Sequence, residues 1–552
     1  MASLRAGAQC GHVAASSARN GTPSMPRAAR LAAPRRAGPA AAAAAPKSFE
    51  TGRARPLRAV RADQVSAVDA TDMQLIADVT KVVDERLAAT TAASAEAARS
   101  IDLANDSALR GRLAGTIAKV EKGLLERETE VRLMMLAALC GEHLLLLGPP
   151  GTAKSELSRR LSKVMGGTYF ERLLTRFSVP EELFGPLSMR GLENDEYVRQ
   201  TAGYLPTAEV AFVDEIFKAN SAILNALLTL LNERLFDNGN QRLEAPLMCL
   251  VGASNELPES EELDALYDRF LLRRNVAQVS NSQVPRLARL AAGRAEPAAA
   301  AGNGGGSSME STDGAPCLEF EDFKQTAISA YSGVDVPDAV IDILVDLRNW
   351  LQDKSEPPIY VSDRRFMKSV QMLQVVAFAD GRSEVNEYDA LLLENVFGNR
   401  PDDSVKVRTK VLDIIASDPG LQQTELVFLG LFGRACRLLE STPSAADAAE
   451  AAAEAATLVE LLEARQAALA AALDGQFPEL RATVWQSEAS VQAAVQALTP
   501  QMTENRRKAE DLLREAYTLA ECLQRRCSAQ VLEKLLPKRY KQYTKGISGK
   551  TA

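Results

Sequence analysis

A strand that runs directly into a Gly- and Pro-rich turn and then into a helix constrains this chain more than any other feature. The stretch LLLLGPPGTAKSELSRRL, Leu144–Leu161, contains four leucines, a loop of small residues, and then Lys154, Ser155 and a helical pattern. It approximates the phosphate-loop pattern GxxxxGK[ST], which would require Gly in place of Ala153. A buried strand, a loop and a helix in this order predict a layered α/β fold. Whether the loop binds phosphate depends on the sequence around it.

Further apolar runs extend this pattern between Leu113 and Val279. The runs HLLLLG, AFVDE and MCLVGAS are typical of parallel strands that are buried on both faces. The helical stretches between them predict crossover connections, and therefore a sandwich of helices on both faces of a parallel sheet.

The rest of the chain has a different composition. Residues 317–415 predict amphipathic helices, and the Gly-, Ser- and Ala-rich stretch before them predicts a linker. Beyond residue 416, leucines and alanines at heptad-like spacing predict an antiparallel helical hairpin that breaks at LTPQ, Leu498–Gln501. The predicted segments are a leader (1–61), a helical segment (62–112), an α/β core (113–290), a linker (291–316), a helical domain (317–415) and a helical arm with a basic tail (416–552).

The N-terminal segment has the composition of an organelle transit peptide. Residues 1–49 contain six arginines and Lys47, no Asp or Glu, and many Ala and Ser residues. The alternative is a basic arm that binds nucleic acid. We expect import into the chloroplast stroma, with the mitochondrion as the second choice.

Charge and residue usage narrow the classes of function. Residues 1–61 hold eleven basic residues and one acidic residue, so their removal would change the formal charge from −8 to −18. The strongly acidic remainder of the chain argues against nucleic acid as the main partner. The leader contains no apolar run long enough to span a membrane. Outside the leader His143 is the single histidine, which excludes histidine-rich zinc sites.

The cysteines predict packed, reduced thiols, because their spacing fits neither a metal site nor a secreted disulfide framework. Cys522 and Cys527 are the closest pair in sequence. Five residues along a helix would separate them by about 7.5 Å in rise alone, beyond the reach of a disulfide.

The loop and the sequence after it together predict a nucleotide site. A helix that begins near Lys154 would place its first amides, with their partial positive charge, against a polyphosphate. Lys154 would reach the β and γ phosphates of ATP, and the Ser155 hydroxyl would hold Mg²⁺. The small residues would let the backbone approach the ligand, and Ala153 would be tolerated if its φ were negative. The proposed cofactor-binding residues are Gly148, Pro149, Pro150, Gly151, Thr152, Ala153, Lys154, Ser155 and Asp214.

Two later strand ends supply polar groups. VAFVDEIFKAN, Val210–Asn220, ends an apolar run with Asp214, which would coordinate Mg²⁺ through water, and Glu215, which would polarise the attacking water. The next apolar run ends with Ser254 and Asn255, where a polar side chain could orient the same water. The alternative for Asn255 is a simple turn former.

Five motifs in this order resemble the MoxR family of AAA+ ATPases, and within it the RavA branch. They are GPPGTAKS, FERLLTRFSVPEELFGPLS, GYLPTAEVAFVDEIFKANSAILNALLTLLNER, ASNELPESEELDALYDRFLLR and VSDRRFMKSV. The resemblance implies a core followed by a helical lid, and a ring, usually a hexamer, that hydrolyses ATP. It also implies that the ring remodels or activates a protein client, commonly one with a von Willebrand factor A domain.

Matching these motifs residue by residue adds three roles. Asn255 resembles the first sensor, Arg269 in YDRF resembles the arginine finger, and Arg364 in VSDRR resembles the second sensor, with Arg365 as the alternative. In resembling rings the arginine finger points into the nucleotide site of the neighbouring subunit. The insertion at 181–209 resembles a β-hairpin that faces the ring pore.

Two other functions stay open at this stage. One is a motor like the ATPase subunit of magnesium chelatase, against which the VDEIFKA and VSDRR contexts speak. The other is a scaffold that binds ATP to assemble but scarcely hydrolyses it, and the presence of Glu215 and Arg269 disfavours it.

Overall fold

The computed structural model describes residues 70–99, 107–258, 260–292, 317–440 and 445–548. The predicted transit peptide and most of the predicted linker lie outside the described residues. The strands are β1 (Leu144–Leu147), β2 (Tyr169–Leu173), β3 (Val210–Asp214), β4 (Leu235–Asn238), β5 (Gln241–Glu244), β6 (Cys249–Ser254) and β7 (Leu272–Asn275).

Helices make up most of the remaining described chain. Those up to the end of the core are α1 (Ala70–Arg99), α2 (Ala108–Glu121), α3 (Glu128–Cys140), α4 (Lys154–Met165), α5 (Glu181–Phe184), α6 (Met189–Glu193), α7 (Ser221–Glu233), α8 (Glu261–Tyr267) and α9 (Val284–Ala291). Those after it are α10 (Phe320–Gly333), α11 (Asp338–Asp353), α12 (Asp363–Ala379), α13 (Asp403–Ala416), α14 (Pro419–Glu440), α15 (Ala445–Asp474), α16 (Pro478–Ala482), α17 (Glu488–Gln524), α18 (Ala529–Leu535) and α19 (Pro537–Ser548). Within the described residues, none of these helices combines the length and apolar character needed to cross a membrane.

The core contains a five-stranded parallel sheet in the order β2-β3-β6-β1-β7. The three apolar runs noted in the sequence form β1, β3 and β6, which are the central strands, and every residue of β1 and β6 is buried. The flanking strands β2 and β7 carry charged residues and were not predicted. Because all strands run in one direction, their carboxyl ends share one edge of the sheet and their amino ends share the other. This α/β core confirms the predicted fold class.

The helical lid, residues 317–416, packs across α3 and the amino edge of the sheet. Arg365, at the start of α12, lies 2.8 Å from the Asp268 carboxylate just before β7, and Lys368 lies 2.7 Å from Glu142 just before β1. The lid therefore contacts the edge of the sheet that lies opposite the phosphate loop.

The arm is a bundle that includes both ends of the described chain. Helix α1 packs against α15 and α17, and Tyr517 of α17 hydrogen-bonds both Thr90 of α1 at 2.9 Å and Glu463 of α15 at 2.5 Å. The predicted two-helix hairpin is therefore incomplete, since α1 contributes a third long helix. The predicted apolar rows do line the packed interface, where Leu462 and Leu519 are fully buried.

The predicted break of the arm at Leu498–Gln501 is wrong. Helix α17 runs without interruption through Pro500, and the chain reverses earlier, between α15 and α17. Pro500 removes one backbone donor, but the apolar side chains on either side of it, Leu498 and Met502, are buried against the bundle. Tertiary packing therefore outweighs the local preference of proline.

The arm also packs closely on the lid. The indole N–H of Trp485 donates to the Val376 carbonyl of α12 at 3.1 Å, and Trp485 is almost completely buried. Arg408 of α13 donates to the Ser490 carbonyl at 2.7 Å. The arm and the lid thus share one apolar core.

The insertion at 181–209 contains less β-structure than a regular hairpin. One antiparallel bridge joins Leu187 to Arg199, and the segment between them holds the short helix α6. The side chain of Asn238, at the end of β4, bonds both the amide and the carbonyl of Arg199 at 2.7 and 3.1 Å. The regular β4–β5 hairpin therefore supports the insertion.

Candidate nucleotide site

Four of the polar side chains predicted from the sequence meet at the carboxyl edge of the sheet. Lys154 follows β1, Asp214 ends β3 with Glu215 directly after it, and Asn255 follows β6, which lies between those two strands. Asn255 is the link, because its Oδ1 accepts from Lys154 Nζ at 3.1 Å while its Nδ2 donates to Glu215 Oε1 at 2.5 Å. The parallel sheet therefore brings together residues that are distant in sequence.

The backbone of the phosphate loop needs glycine at two positions. Gly148 has a φ of 145°, and a Cβ built there would lie 2.3 Å from the Val276 carbonyl oxygen, so a side chain would displace the loop from β7. Gly151 has a φ of 80°. At Ala153 the expected negative φ is wrong, since its φ is 67° in the left-handed region. The methyl group at this position strains the loop.

We predict that Ala153→Gly stabilises the protein. Glycine removes a left-handed strain of about 1 kcal/mol or more, part of which is offset by the greater backbone freedom of glycine in the unfolded chain. Thermal unfolding should therefore show a higher Tm. As the matched control in the same domain, Ala226→Gly inside α7 should lower the free energy of unfolding by about 1 kcal/mol. A lower Tm for Ala153→Gly would contradict the strain.

Lys154 is the first residue of α4, directly after the loop, and is buried. Its Nζ donates to the Gly148 carbonyl at 2.5 Å and to the Pro149 carbonyl at 3.3 Å, in addition to Asn255. Burial lowers the pKa of Lys154, an effect that the nearby charges of Asp214 and Glu215 oppose. The ammonium group thus lies at the loop, beside the first amides of α4. A polyphosphate bound there would contact both the positive charge and the amide hydrogen-bond donors.

Glu215 is held in a defined orientation. Its φ is 54°, its Oε1 accepts from Asn255, and its Oε2 lies 3.3 Å from Lys218 Nζ. Because the amide of Asn255 accepts from Lys154 and donates to Glu215, both of its functional groups are satisfied. A single side chain therefore links the lysine expected to contact phosphate to the carboxylate expected to polarise water.

The residues present fit Mg²⁺ bound together with a polyphosphate. Ser155 lies in the first turn of α4, and one oxygen of Asp214 accepts from the Glu215 amide at 3.0 Å. A hydroxyl and a carboxylate are hard oxygen ligands, and Mg²⁺ usually takes its remaining ligands from phosphate and water. In the described part of the chain no group of three or more His, Cys, Asp or Glu residues is placed to hold a metal ion.

Arg127 supports the loop and was missed in the sequence. Its buried guanidinium donates to the carbonyls of Thr152 at 3.2 Å, Ala277 at 2.8 Å and Glu126 at 2.6 Å. It thus ties the phosphate loop to the chain that leaves β7. The ERE context of Arg127 resembles any charged helix start, so no sequence signal would have identified it.

The two arginines implied by the resemblance lie at the opposite edge of the sheet. Arg269 precedes β7, whose first residue, Leu272, pairs with Leu144 at the start of β1. Burial lowers the pKa of Arg269, and the charge of Arg364 adds to this effect, so the two guanidinium groups are near each other. From His143 to Gly148 the sheet spans about 16 Å, so neither arginine reaches the phosphate loop of its own subunit.

Arg364 and Arg365 differ in their surroundings. Arg365 is buried, pairs with Asp268 and donates to Asn399 Oδ1 at 2.9 Å. Arg364 is partly exposed beside Arg269. The geometry therefore favours Arg364 as the arginine available to a ligand and gives Arg365 a structural role between core and lid.

Two other polar residues lie outside the site chemistry. Burial, with the nearby charge of Arg234, lowers the pKa of His143 well below its usual value, and its Nδ1 accepts from the Leu250 amide at 3.1 Å. His143 is therefore a neutral structural residue at the amino edge. Ser254 donates to the Glu256 carbonyl at 2.8 Å and forms part of the turn that presents Asn255.

Two family models match the chain. The model described as the MoxR domain in the MoxR-vWA-beta-propeller ternary systems matches residues 111–303. The model of an AAA lid domain matches residues 339–411. The first range contains the phosphate loop, Asp214, Glu215, Asn255 and Arg269, and the second contains Arg364.

Three relatives illustrate the similarity to known proteins. The uncharacterized protein MJ0812 of Methanocaldococcus jannaschii is 39% identical over 307 residues, which are 55% of this chain and 76% of that protein. The uncharacterized protein MJ0079 of the same organism is 40% identical over 292 residues, or 52% of this chain and 71% of that protein. Chaperone MoxR1 of Mycobacterium tuberculosis is 29% identical over 168 residues, or 30% of this chain and 44% of that protein.

Proposed function

The chain belongs to the MoxR family of AAA+ ATPases, and from this premise we propose that it forms a ring that couples ATP hydrolysis to remodelling or activation of a partner protein. One observation carries the proposal. The catalytic groups are divided between opposite edges of the sheet, with Lys154, Glu215 and Asn255 at one edge and Arg269 and Arg364 at the other. Each nucleotide site would then be completed by the arginines of a neighbouring subunit.

The proposed chemistry assigns a separate task to each group. Bound Mg²⁺ would neutralise charge on the β and γ phosphates. Lys154 would exchange its contacts with the loop carbonyls for phosphate oxygens, while Glu215, held by Asn255, would orient and polarise the attacking water. Arg269 and Arg364 from the adjacent subunit would stabilise the charge that is redistributed on the γ-phosphate. Turnover would therefore depend on contact between subunits.

A partner with a von Willebrand factor A domain is the proposed client or adaptor. The matching family model describes MoxR domains from systems that include such a domain, and one relative carries the name of a chaperone. The insertion at 181–209 exposes Met189 and Tyr197, whose apolar surfaces would contact the partner. The proposal further includes a hexameric ring, membership of the RavA-like branch and a plastid location, which the motif context and the leader composition support.

The proposal predicts that ATP turnover per subunit falls on dilution. If each site needs two subunits, dissociation removes the arginines from every phosphate loop, whereas a site within one subunit would keep a constant specific activity. Phosphate release measured over a range of protein concentrations, with the assembly state measured in parallel by sedimentation, gives the test.

Two outcomes would contradict this function. If ATP turnover per subunit stayed constant after the ring had dissociated, the whole site would lie within one subunit. Assembly with ATP but no release of phosphate above that of Lys154→Ala would indicate an ATP-binding scaffold. The Lys154→Ala protein is the matched control for contaminating ATPases.

A further inference from the structure

The end of helix α17 brings two cysteines together. Arg526 has a φ of 51°, its amide donates to the Leu523 carbonyl at 3.3 Å, and the Cys527 amide donates to the Cys522 carbonyl at 2.9 Å. This pair of bonds is the Schellman ending of an α-helix, in which the chain folds back over its last turn. The separation expected for a continuous helix is therefore wrong, because the helix ends before Cys527.

The two thiols are in contact with each other. The backbone bond from Cys527 to Cys522 places the two side chains on the same side of the closed turn. Interaction with the Cys527 thiol, together with burial, raises the pKa of Cys522. The same interaction lowers the pKa of Cys527, an effect that burial opposes and the charge of Arg525 assists. Cys527 lies beyond the end of α17 and keeps slight solvent exposure, whereas Cys522 lies within the last turns of the helix and is fully buried. We therefore take Cys527 as the better nucleophile of the pair, in agreement with the direction of its pKa shift.

The pair lies just beneath the surface of the arm. Cys522 is fully buried and Cys527 almost so, yet Gln524, Arg525 and Arg526 of the turn between them are exposed. The pair is therefore adjacent to an exposed turn. Arg525 pairs with Glu521 at 3.1 Å, so Arg526 is the main positive charge of the turn toward an anionic thiol reagent such as glutathione.

A packing role is the alternative interpretation. The residues at these two positions of a Schellman ending commonly form an apolar contact, and cysteine is a small apolar residue. Leucine or valine would satisfy that role equally well. The additional feature that packing alone does not require is the placement of two thiols, rather than two aliphatic side chains, across a turn that the backbone already closes and whose residues 524–526 are exposed.

We propose that Cys522 and Cys527 form a redox-active dithiol that closes to an intramolecular disulfide without displacing α17. The Cys527 thiolate attacks one sulfur of a small disulfide such as oxidised glutathione, which forms a mixed disulfide and releases one glutathione thiolate. Cys522 loses its proton and attacks the Cys527 sulfur, which forms the protein disulfide and releases the second glutathione. Overall the protein dithiol is oxidised and one glutathione disulfide is reduced to two thiols. The inference does not depend on ATP hydrolysis.

The test is oxidation of the folded, full-length protein with oxidised glutathione. Remaining thiols are then alkylated in denaturant and mapped by mass spectrometry. We expect Cys522 and Cys527 to be recovered as one cross-linked peptide from monomeric chains, and the oxidised protein to keep or raise its Tm because the turn is already closed. Both residues recovered as alkylated thiols, a cross-link between different chains, or a Tm that falls on oxidation would each overturn the proposal.

Matched serine variants separate the two roles. Cys522→Ser leaves Cys527 without a resolving partner and should retain one glutathione, which dithiothreitol releases. Cys527→Ser should acquire little glutathione, because Cys522 is fully buried within the last turns of α17, whereas Cys527 lies beyond the end of the helix beside the exposed turn. Cys436→Ser, a buried cysteine of α14 in the same arm, should form the cross-link as the unmodified chain does. Equal glutathione uptake by the two variants at positions 522 and 527 would contradict the assignment of Cys527 as the nucleophile.

Discussion

Lys154→Ala should abolish tight ATP binding, whereas Glu215→Gln should bind ATP normally and hydrolyse it very slowly. Lys154 lies at the phosphate loop, and loss of two charge-assisted hydrogen bonds to phosphate would weaken binding by a factor on the order of 10². Glu215 is placed to act on water, and loss of a general base costs roughly 10²- to 10⁴-fold in kcat. Titration with a fluorescent ATP analogue and phosphate release measure the two quantities separately.

The control for Glu215→Gln is the same change at an exposed carboxylate beside Asn255. Glu256 follows Asn255 and is exposed, so Glu256→Gln should leave both the Kd for ATP and the kcat nearly unchanged. If Lys154→Ala and Glu215→Gln lost ATP affinity equally, the separate roles of cation and carboxylate would have to be abandoned. The Glu215→Gln protein would also hold ATP long enough to retain its partner.

Arg269→Ala should give a ring that binds ATP but hardly hydrolyses it. Arg269 lies at the amino edge of the sheet, away from the phosphate loop of its own subunit, and arginine fingers contribute on the order of 10³ to 10⁵ in rate. In rings mixed from this variant and Lys154→Ala, some subunit junctions combine the intact phosphate loop of one subunit with the intact Arg269 of its neighbour. After random reassembly of equal amounts, about a quarter of the junctions would be active, and turnover should reappear although each variant alone is inactive.

Two further observations would decide the location of this arginine. A reassembled mixture that stays at the level of the separate variants would argue that Arg269 does not act on a neighbour. The buried Arg365 provides the comparison, since removal of one partner of a buried ion pair costs about 3–5 kcal/mol. Arg365→Ala should therefore lower the Tm, whereas Arg269→Ala should leave the Tm close to that of the unmodified protein.

The parts of the fold that could be predicted from the sequence are those with a strong apolar signal. The strands β1, β3 and β6 are buried on both faces and appear in the sequence as apolar runs. The strands β2 (YFERL) and β7 (LRRN) contain charged residues and therefore lack this signal. The order of the strands also follows from long-range pairing, which one sequence does not encode locally. Arg269 lies just before β7, one of the missed strands. The division of the site between opposite edges of the sheet therefore could not be derived from the spacing of residues in the sequence.

Local rules were wrong where tertiary contacts control the backbone. Ala153 adopts a left-handed φ because the loop must turn between β1 and α4, and Pro500 stays in α17 because the residues around it are buried. Cys527 lies outside the helix that seemed to include it, since Arg526 reverses the chain. The residues at the carboxyl edge were predictable because their types are fixed by chemistry, whereas Arg127 acts only through backbone carbonyls that the sequence does not reveal.

The position of α1 in the arm has a consequence for synthesis of the chain. Its main partners, α15 and α17, begin more than three hundred residues later. At 5–20 residues per second, about 20 to 75 s pass between completion of α1 and completion of α15 on the ribosome. During that time the apolar stripe of α1, including Val79 and Val83, has no partner and must be shielded from aggregation. Nascent chains that stall before α15 should therefore be recognised through α1.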